Sequence, residues 1–164
     1  MKRTLAILMV LMSMALLAEN PPKRLMWPIE IGGMLFSNME TALSDDARTK
    51  GLMFRASLPD DGGMLFLFSK PEKHSFWMRN TLIPLDILFI DMEGKITAIH
   101  TMKVESPRRP NEAEDEYCDR LPSYPSRKPV IAAIELNAGM VEMLGVKIGD
   151  KVEIFREELA KHLK

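Results

Sequence analysis

The sequence predicts a mainly β domain of the α+β kind: one compact, barrel-like unit with two or three short helices. Three observations point there. The apolar runs are short and broken by Gly, Pro and Asp clusters, which is the punctuation of a chain of short strands. Strand–long helix–strand alternation is missing, which argues against a doubly wound parallel sheet. Residues 19–164 suffice for one ordinary core, and the single cysteine, Cys118, has no partner in the chain, so that core must carry stability without disulfides.

The domain is expected over residues 27–164, behind a leader at 1–18 and a linker at 19–26. Lys2 and Arg3 precede an apolar stretch from Leu5 to Leu17, and Ala18 stands before the polar Glu19 and Asn20. This is the layout of a secretory signal peptide cut after Ala18. The apolar stretch is about 13 residues, short of the roughly 20 that cross a bilayer, so a retained anchor is the lesser alternative. No later segment is apolar enough to span. An exported protein is expected, periplasmic in a Gram-negative cell and otherwise secreted. The formal charge of −1, more acidic once Lys2 and Arg3 are removed, comes without a basic cluster and makes no case for nucleic acid.

From residue 28 to 39, β-type runs flank Gly32-Gly33, a pair that turns a chain readily. Ser44 is placed to cap a helix over 45–50, with Asp45 and Asp46 in its first turn and Gly51 as its stop. Residues 60–63 read as a turn and 64–68 as an apolar strand. A hairpin follows, with strands at 85–91 and 95–102 and a turn at 92–94. Residues 103–128 are polar and interrupted by Pro107, Pro110, Pro122 and Pro125, so they read as a long loop, functional or disordered. Strand resumes at 129–136. Asn137 is expected to cap a short helix ending at Gly145, and a strand at 151–155 and a helix at 156–163 close the chain.

The most informative stretch is Phe76-Trp77-Met78-Arg79-Asn80-Thr81-Leu82-Ile83-Pro84-Leu85-Asp86, continued by an apolar run as far as Asp91. Together with Gly51-Leu52-Met53-Phe54-Arg55 and Gly63-Met64-Leu65-Phe66, it resembles the domain of unknown function 192 family, also called uncharacterised protein family 0127. The resemblance spans residues 27–157. It implies a compact β-barrel-like fold and export, and brings no established reaction. Arg79 stands where relatives more often show Lys, which keeps the charge. Residues 107–128 look longer than is usual in the family.

Asp86 begins an apolar run, and a buried carboxylate needs hydrogen bonds or a counter-ion. Arg79 and Asn80, just upstream, are its expected partners. Two roles stand open for it: a general acid or base with a raised pKa, or a structural cap that fixes the preceding loop. Arg55, Arg79 and Asn80 either converge on an anion or a peptide carboxylate, or pair with internal carboxylates such as Asp86 and Glu135. Trp77 packs in the core or lines a groove, whereas Phe76 is expected to pack. Glu135 is a lone charge in the apolar strand 130–136, and with Asp86 it would make the carboxylate pair of an acid–base hydrolase.

Metal spacing is absent among His74, His100 and His162, and Met140 with Met143 reads as helix packing, so neither metal nor cofactor is expected. Phosphate loops, nucleophile elbows and metalloprotease helices are also missing. The leading expectation is a binding module for a small anionic ligand or a peptide, using Arg55, Trp77, Arg79, Asn80 and Asp86. The alternatives are a hydrolase using Asp86 and Glu135, or an envelope structural or assembly factor.

Overall fold

A computed structural model of the chain describes residues 25–154 and 156–162. The expected signal peptide at 1–18 and most of the expected linker lie outside them. Leu25 and Met26, at the end of that linker, already pair with the sheet. Trp27 N donates to Met39 O, Thr41 N donates to Leu25 O, and Met26 bridges Glu40.

Gly32 and Gly33, at φ 59° and 81°, form the two-residue turn between β1 (Ile29–Ile31) and β2 (Met34–Phe36). Two positive φ values in sequence suit the twist of a tight hairpin, and glycine supplies them without steric cost. β3 (Asn38–Ala42) leads into α1 (Asp45–Lys50), where the Ser44 hydroxyl accepts from Ala47 N at 3.2 Å. Gly51 N donates to Ala47 O and ends the helix. The chain then enters β4 (Gly62–Glu72), parallel to β3 and longer than the apolar run implies.

After β5 (Ser75–Phe76) come β6 (Leu85–Ile90) and β7 (Ile96–Met102), the expected hairpin. Asp91 Oδ1 holds its turn by accepting from Glu93 N and Lys95 N, both at 2.9 Å.

The stretch 103–128 is not the structureless loop expected of it. It contains α2 (Glu114–Asp119) and β8 (Tyr124–Pro125), which pairs with β5. Its acidic composition reads as a solvated loop, but Tyr117 anchors it at 1% exposure and Glu116 caps Ala113 N at 3.2 Å.

β9 (Val130–Asn137) is the centre of a five-stranded sheet ordered β3-β4-β9-β6-β7, in which β3–β4 is parallel and the other pairs are antiparallel. Asn137 is therefore a strand residue and caps no helix; its amide donates to Pro59 O at 3.1 Å. α3 (Met140–Leu144) starts instead from Gly139, at φ 90°, and stops at Gly145 in the left-handed region. Met140 packs into the core as expected, whereas Met143 is exposed. At 151–154 there is only an isolated bridge, Lys95 to Lys151, in place of the expected strand. α4 (Arg156–Ala160) follows.

The mainly β single-domain class holds, with four short helices among the described residues, and the sheets do not close into a barrel. Both faces of the five-stranded sheet are covered instead. On one face Leu88, Ile90, Ile134 and Leu136 pack under the β1–β2 hairpin, Met140 and Leu159. On the other, Met64, Phe66, Ile87, Phe89 and Ala133 pack under Leu52, Met78 and Tyr124. Side chains alternate between the faces along each strand, and burial on both explains why β6 and β9 are almost continuously apolar.

Candidate functional site

Asp86 is 1% exposed, as its apolar setting requires, but neither Arg79 nor Asn80 is its partner. Its Oδ1 accepts from the Thr101 hydroxyl at 2.7 Å, and its Oδ2 accepts from Gly139 N at 2.9 Å and Val141 N at 3.0 Å. Thr101 lies opposite Asp86 on β7, and Gly139 and Val141 belong to the start of α3. The carboxylate therefore satisfies backbone donors at a helix start that no side chain of α3 caps. Every observed contact of Asp86 is a fold contact.

Asp86 and Glu135 do not form a pair. Asp86 is opposite Leu136 and Glu135 is opposite Ile87 in the β6–β9 ladder, so alternation sends the two carboxyls to opposite faces. The carboxylate dyad expected of a hydrolase is not assembled.

Glu135 instead lines a separate cleft, a cavity of about 540 Å³ bordered by residues of the 74–81 stretch. The end of α1 and residues 51–53 form one side, the second half of β4 another, and the signature stretch the third. Aromatic contacts stiffen its wall. Phe76 meets Phe66 edge-to-face at 4.9 Å and Phe89 at 5.5 Å, and His74 stacks on Phe68 at 3.5 Å. Trp77 stands at the rim, 42% exposed, with the Arg79 guanidinium 5.9 Å from its ring.

Three polar groups lining this cleft have no partner among the described residues. Glu135 is 5% exposed, and its carboxyl makes no hydrogen bond or ion pair. Burial pushes its pKa up to about 8, so it is largely protonated at neutral pH. His74 Nε2 and Arg79 Nε are buried and unsatisfied. Desolvation lowers the His74 pKa, with Glu72 opposing and Arg48 reinforcing the shift, so the imidazole is neutral. The other end of the Arg79 guanidinium pairs with Glu114 of α2. Arg48 is fully engaged with Leu43 O, Leu67 O and Asp45.

Of the residues singled out in the sequence, Trp77, Arg79 and Glu135 line this cleft, and Arg55, Asn80 and Asp86 do not. Arg55 donates to both carboxylate oxygens of Glu40 at 2.7 Å. Asn80, at φ 51°, is used through its main chain: its N donates to Tyr117 Oη at 3.2 Å and its O accepts from Phe54 N at 2.8 Å. Asp86 borders a separate hollow with Thr101 and Gly139. The sequence reading missed His74, Thr81 and Lys50 in the cleft wall. His74 follows β4 and immediately precedes β5, a position from which it can face the sheet, and that is the only signal it offered.

Among the described residues, no cluster of three or more His, Cys, Asp or Glu side chains could hold a metal, and no helix is long and apolar enough to cross a membrane.

A sheet covered on both faces, with four short helices among the described residues, defines a mainly β single-domain protein. Residues 29–154 match the family model DUF192, described as Uncharacterized ACR, and the chain belongs to that family. A solved protein of unknown function from Novosphingobium aromaticivorans DSM 12444 is similar to it, with a TM-score of 0.66 and 33% identity over 83% of this chain and 90% of that one. A second, from Sinorhizobium meliloti 1021 and provisionally named a transcription regulator, gives a TM-score of 0.59 and 37% identity over 77% of this chain and 88% of the other. No curated protein matches the chain.

Proposed function

We propose that the protein is an exported binding module whose cleft captures a small polar ligand or the end of a peptide, with Arg79 taking its anionic group. One observation carries this reading: His74 Nε2 and Arg79 Nε are buried without partners, and both residues line one cavity together with Glu135, whose carboxyl has no partner among the described residues. Leaving a buried polar atom unpaired costs about 1–3 kcal/mol, so two of them beside the Glu135 carboxyl at one cleft favour a ligand that satisfies the set. A cavity of about 540 Å³ is in the size class of small-molecule sites, and an aromatic wall with a few polar groups is their usual composition. Export is supported by the basic, apolar and small-residue order of residues 1–18.

The test is a screen of small carboxylates, phosphates and short peptides, followed by tryptophan fluorescence and calorimetry. Hits should quench a signal that Trp77→Phe removes, and Arg79→Ala should weaken them tenfold or more. Undiminished affinity in Arg79→Ala would remove the anion from the reading. A second reading is favoured by the raised pKa of Glu135, which suits a general acid. It requires turnover of a bound compound that Glu135→Gln abolishes while binding persists.

A further inference from the structure

Glu135 comes up into the cleft from the middle of the sheet, between Met64 on β4 and Ile87 on β6. Apolar and aromatic residues share the lining with it: Leu52, Met53, Phe66 and Phe76. The charged groups that share the cavity come from other elements and are mostly committed. Arg48 holds Asp45, Lys70 holds Glu72, and one end of Arg79 holds Glu114. Lys50 and the neutral His74 complete the set. A simple anion would therefore find cations at the rim and gain little from the carboxyl beneath it. A ligand carrying a cationic donor as well would complete Glu135, because a desolvated carboxylate is best matched by a charged hydrogen-bond donor.

From this arrangement we infer that the cleft takes a small amino-carboxylate zwitterion of amino-acid or dipeptide size, with its ammonium at Glu135 and its carboxylate at the Arg79 and Lys50 rim. The inference rests on the cleft being a ligand site and names the chemistry of the ligand. Trp77 and Phe76 offer apolar surface for a side chain of that ligand. Proton accounting gives the inference a signature. The free carboxyl is mostly protonated at neutral pH because burial disfavours its charge. An arriving ammonium favours the carboxylate, so Glu135 ionises and its proton passes to the buffer as the ion pair forms.

The full chain is titrated at pH 7 with L-alanyl-L-phenylalanine, by calorimetry in phosphate and in Tris. Binding is expected, with heats that differ between buffers in proportion to the released proton. The N-acetylated dipeptide, which keeps the carboxylate and lacks the ammonium, should bind at least tenfold more weakly. Glu135→Gln should abolish the buffer dependence and bring the free dipeptide to the affinity of the acetylated one. The acetylation arm leaves the protein untouched, so it decides even where a Glu135 variant folds poorly. Equal affinity of the two dipeptides, or no buffer dependence, overturns the zwitterion and leaves the ligand site standing. Failure of both dipeptides also overturns it, and the Arg79→Ala comparison on other ligands then judges the site itself.

Discussion

Asp86 and Glu135 occupy adjacent strands one register step apart, and that step gives them opposite fates. Asp86 faces α3 and is fully hydrogen-bonded, whereas Glu135 faces the cleft and is bonded to nothing among the described residues. One buried carboxyl holds the fold together, and the other is left unpaired over a cavity.

The structural role of Asp86 predicts the behaviour of Asp86→Asn. An amide oxygen can still accept from Gly139 N and Val141 N, which share one oxygen in the parent, but the charge is lost and the NH₂ group forces the Thr101 hydroxyl to turn from donor to acceptor. Stability should fall by about 1–2 kcal/mol, the difference between charge-assisted and neutral hydrogen bonds, with a drop of a few degrees in Tm. Ligand affinity measured well below the new Tm should be unchanged. A variant as stable as the parent would remove Asp86 from this role.

Glu135 predicts the opposite kind of dependence, on pH. Its carboxyl ionises near the usual 4.5 in the unfolded chain and near 8 in the folded one. Above pH 4.5 the unfolded state loses the proton first, so this group makes stability decline as pH rises to about 8 and level off beyond. The decline is on the order of several kcal/mol across the window. Glu135→Gln should flatten it, which urea melts at pH 5, 6.5 and 8 would measure.

Tyr117 anchors the 103–128 insertion on the signature stretch, through its buried ring and the bond from Asn80 N. Tyr117→Phe keeps the ring and loses the hydroxyl, and should cost about 1 kcal/mol. Tyr117→Ala should cost about 3–5 kcal/mol and release the insertion. Limited proteolysis should then cut within 103–128 in the alanine variant and spare that segment in the phenylalanine variant.

Gly63 marks a close approach of β4 to β9. A β-carbon there would stand 2.5 Å from the Glu135 carbonyl oxygen, and strand backbone cannot retreat as a flexible side chain can. Gly63→Ala should therefore destabilise by about 1–3 kcal/mol or more and lower the soluble yield, a result that thermal melts would register.

Local features were the legible ones. The Ser44 cap, the Gly32-Gly33 turn and the β6–β7 hairpin are each determined by residues adjacent in the chain, and they form where the sequence indicates. The burial of Asp86 was legible too, from its apolar surroundings. Its partners were not, because two of them are main-chain N–H groups 53 and 55 residues downstream, and backbone donors leave no mark in a sequence. The same limit applies to the site. Trp77, Arg79 and Glu135 are conspicuous residues and line the cleft, whereas His74 and Thr81 are ordinary polar residues that enter it only through the path of β4 and β5. Helix α2 was hidden because an acidic run looks solvated until the one tyrosine that anchors it is placed.

The pairing of residues 25–27 with β3 bears on how the chain can be trimmed. β3 is an outer strand of the main sheet, and these residues occupy the hydrogen-bonding groups of Met39 and Thr41 that would otherwise face water. Cutting the chain ahead of Leu25 leaves that margin sealed. Cutting beyond Trp27 opens a row of vacant amides and carbonyls to any neighbouring strand, and such shortened molecules should self-associate more readily than the longer chain.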